Sequence, residues 1–196
     1  MTQPAQGGPP GPPPPPGGSD PNRPGSRAWV EQRYGSSAAF TDRIIPGILD
    51  ALLAAVSAFI PFVLGVVLII AGLPDTYDCA LWGENSCTVP GTGSGVLVAL
   101  GISMFFLSVL ASFAMIAWNR VWRVTRTGQS LGKKFAGLRV VDAETGEHPQ
   151  LGPAALRELV HQVAGIISWI WMLVDDDDRT LADIVGKTHV ILLDKR

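Results

Sequence analysis

Two long stretches without a charged residue constrain this chain more than any other feature. The first runs from Ala51 to Pro74 and the second from Asn85 to Asn119. A helix needs about 20 mostly apolar residues to cross the hydrocarbon core of a bilayer, and each stretch meets that length. Charged residues make up only 16% of the chain and apolar residues 47%, a surplus that fits lipid better than a water-soluble core. The sequence therefore predicts two membrane-spanning helices, near residues 46–73 and 92–119.

The distribution of charge orients these two predicted helices. Arginines precede the first helix and a basic segment follows the second, whereas the connector carries Asp75, Asp78 and Glu84 and neither Lys nor Arg. Short loops rich in Lys and Arg stay in the cytoplasm. We therefore expect a cytoplasmic N-terminus, a cytoplasmic 120–153 loop and an extracytoplasmic 74–91 loop. The basic residues expected to face lipid headgroups are Arg120, Arg123, Arg126, Lys133 and Lys134.

The chain has two cysteines, Cys79 and Cys87, and both lie in the loop predicted to be outside. Disulfides persist in oxidising compartments, and this separation permits a short closed loop. The sequence therefore predicts a disulfide between them, with two free thiols as the alternative. Two cysteines alone make a poor metal site, so we expect no metal there.

The N-terminus has a different composition from the rest. Residues 1–26 contain ten Pro and six Gly and almost no apolar residue to offset the entropy of ordering the backbone. We assign residues 1–37 to a disordered proline- and glycine-rich cytoplasmic tail and residues 38–196 to a membrane domain. The run Pro12 to Pro16 suits a partner that binds proline motifs, although a solvated spacer is the simpler interpretation. The net charge of −2 argues against a nucleic-acid partner.

The predicted fold class is an all-α membrane protein with a small β element. A third apolar helix, near residues 154–174, is short for a span, and Trp169 and Trp171 favour an interface position. A span, a re-entrant hairpin and a helix in the headgroup plane all stay open. The cytoplasmic segment LRVVDAETGEHPQL predicts a β-hairpin. The strand-like THVILL pairs with LRVVD only if the third segment returns the chain to the cytoplasm.

Asp50 is the residue most in need of an explanation. A carboxylate inside a membrane helix costs roughly 2.5–3.5 kcal/mol, so something must offset that cost. Arg43 lies seven residues earlier, on the same helix face but about 10 Å away along the axis, which favours a shared network over direct contact. One interpretation is a purely structural Asp50 that fixes helix packing. The other is a polar cavity in which Asp50 binds a cation or a proton.

Other motifs carry little chemistry. GQSLGKK lacks the glycine spacing of a phosphate-binding P-loop. The acidic run Asp175 to Asp178 has the oxygen ligands of a divalent-cation site, but such runs are usually solvated loops. Asp183 follows Thr180 at capping-box spacing. No nucleophile, base and oxyanion-donor set can be assembled. We therefore expect neither an enzyme, nor a cofactor, nor a metal site.

Three segments together resemble the RDD family of membrane proteins, named for an arginine and two aspartates. They are FTDRIIPGILD, GQSLGKKFAGLRVVDAETGEHPQLGPAALRELV and RTLADIVGKTHVIL, in this order, and the resemblance covers roughly residues 38–194. It implies that Arg43 and Asp50 are the family's arginine and first aspartate. Asp183 is our assignment for the second aspartate, with Asp142 as the competing assignment. The proline-rich tail also resembles the proline-rich antigens of actinobacteria, which implies a bacterial plasma membrane.

The resemblance implies a function only in outline. Transport of undefined ligands has been proposed for the family, and sodium–proton exchange has been attributed to at least one member. The first hypothesis is a transport component in which Arg43, Asp50 and Asp183 form a site for a cation or proton. A protomer with so few spans lacks the inverted repeats that usually build a transport site, so homo-oligomers are expected. The second hypothesis is an accessory or scaffold subunit of a larger respiratory or envelope complex.

Overall fold

The computed structural model describes residues 19–77, 87–89 and 91–193. The predicted disorder of residues 1–18 lies outside these residues. So does Cys79 of the predicted disulfide, which therefore stays a prediction.

Two long helices dominate the molecule, as predicted. Helix α2 spans Phe40–Gly72, and its 33 residues extend over about 50 Å. Helix α3 spans Gly95–Ile116 and continues through a π-helical turn, Ala117–Trp122, into helix α4, Arg123–Thr127. The first helix thus begins before residue 46, and the second helical rod continues beyond residue 119. A two-residue strand pair, β1 (Thr76–Tyr77) and β2 (Cys87–Thr88), belongs to the connector.

Helices α2 and α3 run antiparallel and approach closely at glycines. A Cβ atom on Gly65 would lie 2.8 Å from the Gly101 carbonyl oxygen, and one on Gly101 would lie 2.7 Å from the Gly65 carbonyl oxygen. Only glycine permits this separation, and such contacts are typical of helix pairs in membranes. Further along, the Ser57 hydroxyl lies 3.4 Å from the carbonyl oxygen of Ala111.

The outer surfaces of this helix pair are apolar and uncovered. In the most apolar 18-residue window of each helical rod, only 11% is buried within the protein. The core helix of a water-soluble protein would be mostly covered by other elements, so this exposure suggests a membrane protein.

At the end of the helix pair where α2 begins and α4 ends, the chain forms a small two-stranded sheet. We call this end the polar end. The sheet differs from the predicted hairpin. Strand β3, Leu138–Asp142, pairs antiparallel with strand β4, Thr188–Leu192, in the register Val140↔Val190. The predicted hairpin within LRVVDAETGEHPQL is wrong, because the chain enters a helix after Pro149 instead of forming a second strand. The apolar core beneath the sheet consists of Ala38, Val124, Leu138, Val140 and Val190.

The third apolar segment is divided into two short helices. Helix α6 spans Leu151–Ala164 and helix α7 spans Ile166–Trp171. They meet at Gly165, whose φ of 50° breaks the helix. Because β3 precedes this segment and β4 follows it in one sheet, the segment returns the chain to the end where it began. That geometry is incompatible with a third complete crossing. The remaining helices are α5, Leu131–Phe135, and α8, Leu181–Val185.

Residues 27–37, assigned from composition to the tail, are part of the folded polar end. Helix α1, Arg27–Arg33, buries Val30 against Val141 and Ile191 on the sheet. The Ala38 amide then donates to the Val190 carbonyl oxygen at 2.9 Å. The apolar side chains of this short stretch offset the entropy lost on ordering it.

Candidate functional site

Asp50 lies in a hydrogen-bonded group that we call the Asp50 cluster: Asp50, Asn119, Ser130, Gly132 and Lys133. The buried carboxylate accepts hydrogen bonds from Asn119 Nδ2 at 2.8 Å, from Ser130 Oγ at 2.5 Å and from the Gly132 amide at 2.9 Å. Lys133 Nζ lies 3.8 Å from its Oδ2 atom. Three donors and a nearby ammonium offset the cost of burying the carboxylate.

Local structure directs each donor at Asp50. The π-helical turn contains the buried Asn119, whose Oδ1 atom accepts from the Leu131 amide at 2.8 Å. Ser130 is the N-cap of α5 and accepts from the Lys133 amide. A Cβ atom on Gly132 would lie 2.2 Å from the Pro46 carbonyl oxygen, so only glycine fits there. The second half of the GQSLGKK segment therefore begins the short helix α5, which docks on α2.

Asp183 anchors a second group, the Asp183 cluster: Asp183, Arg43, Arg157, Thr180 and Thr188. Arg43 Nη1 donates to Asp183 Oδ2 at 2.5 Å, and Arg157 Nε donates to Oδ1 at 2.7 Å. The Thr180 amide and the Thr188 hydroxyl each donate at 3.3 Å. Asp183 also forms the expected capping box with Thr180 at the start of α8. Its carboxylate thus ties together α2, α6, α8 and β4.

Burial and the neighbouring charges shift the pKa values of Asp183 and Lys133. Burial alone would raise the pKa of Asp183, but Arg157 and Arg43 hold it well below its usual range. Burial, and after it the charge of Arg157, lowers the pKa of Lys133 to about 8, with Asp50 opposing both effects. Lys133 is therefore much closer to releasing its proton at neutral pH than an exposed lysine.

A cavity of about 40 Å³ separates the two clusters, with room for about three water molecules. Its wall contains four cationic side chains and two carboxylates. Glu158 accepts from Arg120 Nη1 at 3.3 Å and from Gln162 Nε2 at 2.7 Å. The cavity is therefore rich in hydrogen-bond donors and has an excess of positive charge. The charged residues of its wall are Arg43, Asp50, Arg120, Lys133, Arg157 and Glu158.

The residues singled out from the sequence divide between the two clusters. Arg43 contacts Asp183, and no hydrogen bond or ion pair joins Arg43 to Asp50 among the described residues, although both line the cavity. Asp142 instead caps a turn by accepting from the Glu144 and Thr145 amides.

The basic loop also divides into two sets. Arg120 and Lys133 point into the cavity. Arg123 and Arg126 lie over the rings of Trp118 and Trp122, 5.5 Å and 5.9 Å from the ring centroids. Lys134 is exposed.

The sequence patterns did not identify several residues of the clusters and of the cavity wall. These residues are Asn119, Ser130, Arg157 and Glu158. Two signals were available in the sequence. Asn119 is a polar residue at the end of a long apolar run, and Ser130 precedes LGKKF as a helix N-cap does.

The acidic run is occupied by cationic side chains and backbone amides of the same chain. Asp177 is buried and accepts from the Ser19 hydroxyl at 2.7 Å and from the Arg27 amide at 2.9 Å. It also forms ion pairs with Arg23 and Arg179. The run thus holds the end of the proline-rich tail rather than lying as a solvated loop. No group of three or more side chains suited to a metal occurs within the described part of the chain.

Two long apolar helices ending in a buried ionic network suggest a small membrane protein with a polar module at one end. The chain belongs to the RDD family, whose model matches residues 37–187. The resemblance inferred from the sequence is therefore confirmed.

The curated relatives agree with this family. A proline-rich antigen of Mycobacterium leprae is 30% identical over 154 residues, which cover 74% of this chain and 57% of the antigen. A Mycobacterium tuberculosis homologue of the antigen is 29% identical over 92 residues, 45% of this chain and 38% of its own length. An uncharacterized Haemophilus influenzae protein is 28% identical over 102 residues, which cover 49% of this chain and 65% of that protein. This chain thus spans less than two thirds of each of these relatives. No solved structure matches it.

Proposed function

We propose that this protein is a proton-handling component of a transport system in a bacterial plasma membrane. The observation that carries the proposal is the position of Lys133, whose Nζ lies 3.8 Å from the buried Asp50 carboxylate at the wall of the cavity. The lowered pKa of the Lys133 ammonium, about 8, supports a group that exchanges protons near physiological pH. The cavity has room for the water that would carry the proton.

The charge of the cavity favours a proton over a metal cation. Four cationic side chains and two carboxylates face it, so a bound metal ion would meet net repulsion. Asp50 already accepts three hydrogen bonds from the protein. Asp50 therefore serves as the fixed counter-charge and Lys133 as the group that gains and loses a proton.

The proposal includes an orientation and an assembly. Because Lys and Arg cluster at the polar end, that end and the N-terminus face the cytoplasm, and the 74–91 loop lies outside. Two crossing helices enclose no pathway, so protomers assemble through their exposed apolar faces. Each protomer then contributes one cavity to a shared route.

Proton flux in reconstituted vesicles tests this function. The purified protein is placed in proteoliposomes containing a pH-sensitive dye, and flux is measured after a pH jump. We expect flux above that of empty vesicles, with a loss of about tenfold or more in Lys133→Met and Asp50→Asn. Lys134→Met is the matched control, because the neighbouring Lys134 is exposed, and it should retain wild-type flux. Equal flux in Lys133→Met and wild type would reject the proposal.

A second function, an accessory subunit of a larger membrane complex, is favoured by the contact between Asp177 and Ser19. That contact fixes the end of the proline-rich tail at the folded polar end, where the tail could reach a cytoplasmic partner. Purification in mild detergent followed by mass spectrometry distinguishes the two functions. A stoichiometric large partner supports the accessory role, whereas a homo-oligomer with proton flux contradicts it.

A further inference from the structure

A second concavity adjoins the ionic cavity and lies between α2 and the α6–α7 pair. It is an open groove of about 510 Å³, within the range of about 300–1,000 Å³ typical of small-ligand sites. Trp169 forms part of its wall and packs so closely on α2 that a Cβ atom on Gly47 would lie 3.1 Å from the indole ring. The apolar residues that line the groove are Phe40, Ile44, Ile48, Ala51, Ile166 and Trp169.

The surroundings of the groove indicate an apolar chain as its occupant. Ile48 is 54% exposed and Ile166 is 74% exposed, and both belong to the surface of a helix group that continues into the uncovered faces of α2. In a protein with two long lipid-facing helices, such a groove opens toward acyl chains rather than toward water.

Arg120 adds a charge to this apolar lining. Its side chain lines both the groove and the ionic cavity. Its Nε atom is buried without a hydrogen-bond partner within the described residues, and its contact with Glu158 uses only Nη1. The Nε atoms of Arg123 and Arg139 are buried in the same way, so the feature particular to Arg120 is its place in the groove wall. The terminal N–H groups that Glu158 does not occupy are donors suited to a phosphate oxygen.

His161 adds a neutral polar group beside Arg120. Trp169 Nε1 donates to His161 Nε2 at 3.2 Å, and an indole nitrogen can only donate. Nε2 is therefore the unprotonated nitrogen, so Nδ1 carries the hydrogen and is a second potential donor. The groove thus has an apolar lining bordered by the imidazole of His161 and by the guanidinium of Arg120, which also pairs with Glu158.

We infer that this groove binds one anionic phospholipid, with an acyl chain along α2 and the α6–α7 pair and the phosphate against Arg120. The inference goes beyond proton handling and does not depend on it, although Arg120 borders both spaces. Arg123 and Arg126 provide a general basic surface. They follow Arg120 along the helical rod and lie over tryptophan rings. Arg120 provides the specific contact, because it alone of these three arginines lines the groove.

Photocrosslinking of lipid to the full-length protein tests this inference. The probe is phosphatidylglycerol with a photoreactive group on one acyl chain, present as a minor component of phosphatidylcholine nanodiscs. Crosslinked peptides are mapped by mass spectrometry, and unlabelled phosphatidylglycerol or phosphatidylcholine is added as competitor. We expect crosslinks within residues 40–51 and 161–171, and stronger competition by phosphatidylglycerol.

Four variants distinguish the contact with the acyl chain from the contact with the phosphate. Ala51→Phe fills the groove and should abolish these crosslinks. Ala114→Phe, at an exposed alanine of α3 outside the groove, should not. Arg120→Gln should weaken competition by phosphatidylglycerol about tenfold. Arg126→Gln removes the same charge outside the groove and should have little effect.

Three outcomes would overturn the inference. Crosslinks spread evenly along α2 and α3 would show ordinary bilayer contact. Crosslinking at the wild-type level in Ala51→Phe would exclude the groove as the site of the acyl chain, whether or not Arg120→Gln folds. Equal competition by both lipids would exclude the anionic headgroup. Because the readout is lipid contact, these results are independent of any loss of proton flux.

Discussion

Replacing Asp183 by Asn should destabilise the protein strongly. The amide keeps the shape of the side chain but leaves Arg43 and Arg157 buried without their counter-charge, since both guanidiniums donate to this carboxylate. Removing one partner of a buried ion pair costs about 3–5 kcal/mol. For a chain of this size that loss corresponds to a decrease in Tm of about 6–20 °C.

The assay is thermal unfolding of the detergent-solubilised protein at pH 7, followed by size-exclusion chromatography of the fraction that stays soluble. The pH matters because the folded pKa of Asp183 lies below the ordinary value of 3.8. The stability contributed by its ionised form is therefore present above about pH 4 and is lost as the pH falls through the folded pKa.

Asp142→Asn is the matched control for this experiment. Asp142 caps a turn through two backbone amides, and an amide oxygen accepts the same hydrogen bonds, so the change should stay within about 0.5 kcal/mol. Equal Tm values for Asp183→Asn and the wild type would refute the claim that the Asp183 cluster holds the polar end together. An equally large decrease in Asp142→Asn would refute the distinction between the two aspartates.

Two further substitutions test other contacts. Gly132→Ala should destabilise the protein by about 1–3 kcal/mol, because its Cβ would overlap a carbonyl oxygen of α2. Gly152→Ala, which meets nothing within 4 Å in α6, should instead be neutral or stabilising by up to about 1 kcal/mol in the same thermal assay; similar losses in both would contradict the close docking of α5. Asp177→Asn should release the end of the tail and speed tryptic cleavage after Arg27, whose amide donates to Asp177. Asp176→Asn, at an exposed position of the same run, should leave the cleavage rate unchanged; equal rates in all three proteins would contradict the tail contact.

The long helices could be predicted because lipid imposes a simple requirement, an uncharged stretch of sufficient length. The sheet could not be assigned in the same way. An alternating pattern in LRVVD identifies a strand but not its partner. The partner strand of LRVVD depended on whether the third apolar segment returned the chain to the polar end. The break in that segment at Gly165 was not apparent from hydropathy.

The candidate site was also only partly accessible from the sequence. Asp50 was identified because a carboxylate in an apolar helix is costly, and Arg43 and Asp183 through helix spacing and the family resemblance. The expected network joining Arg43 to Asp50 divided into two clusters, because α5 docks on Asp50 while Asp183 of α8 pairs both with Arg43 and with Arg157 of α6. Donors such as Ser130 come from distant segments, and no local pattern reports that proximity.

The proton-handling account is tested most directly by the titration of Lys133 itself. The protein is labelled with ¹⁵N at lysine side chains and reconstituted into lipid, and solid-state NMR follows the amine signal that is missing in Lys133→Met. The account predicts a midpoint pKa of about 8, lowered from the ordinary 10.5 by burial and by Arg157. In Asp50→Asn the pKa should fall further, because the counter-charge is lost. A Lys133 signal that titrates near 10.5 in the wild type would contradict the account.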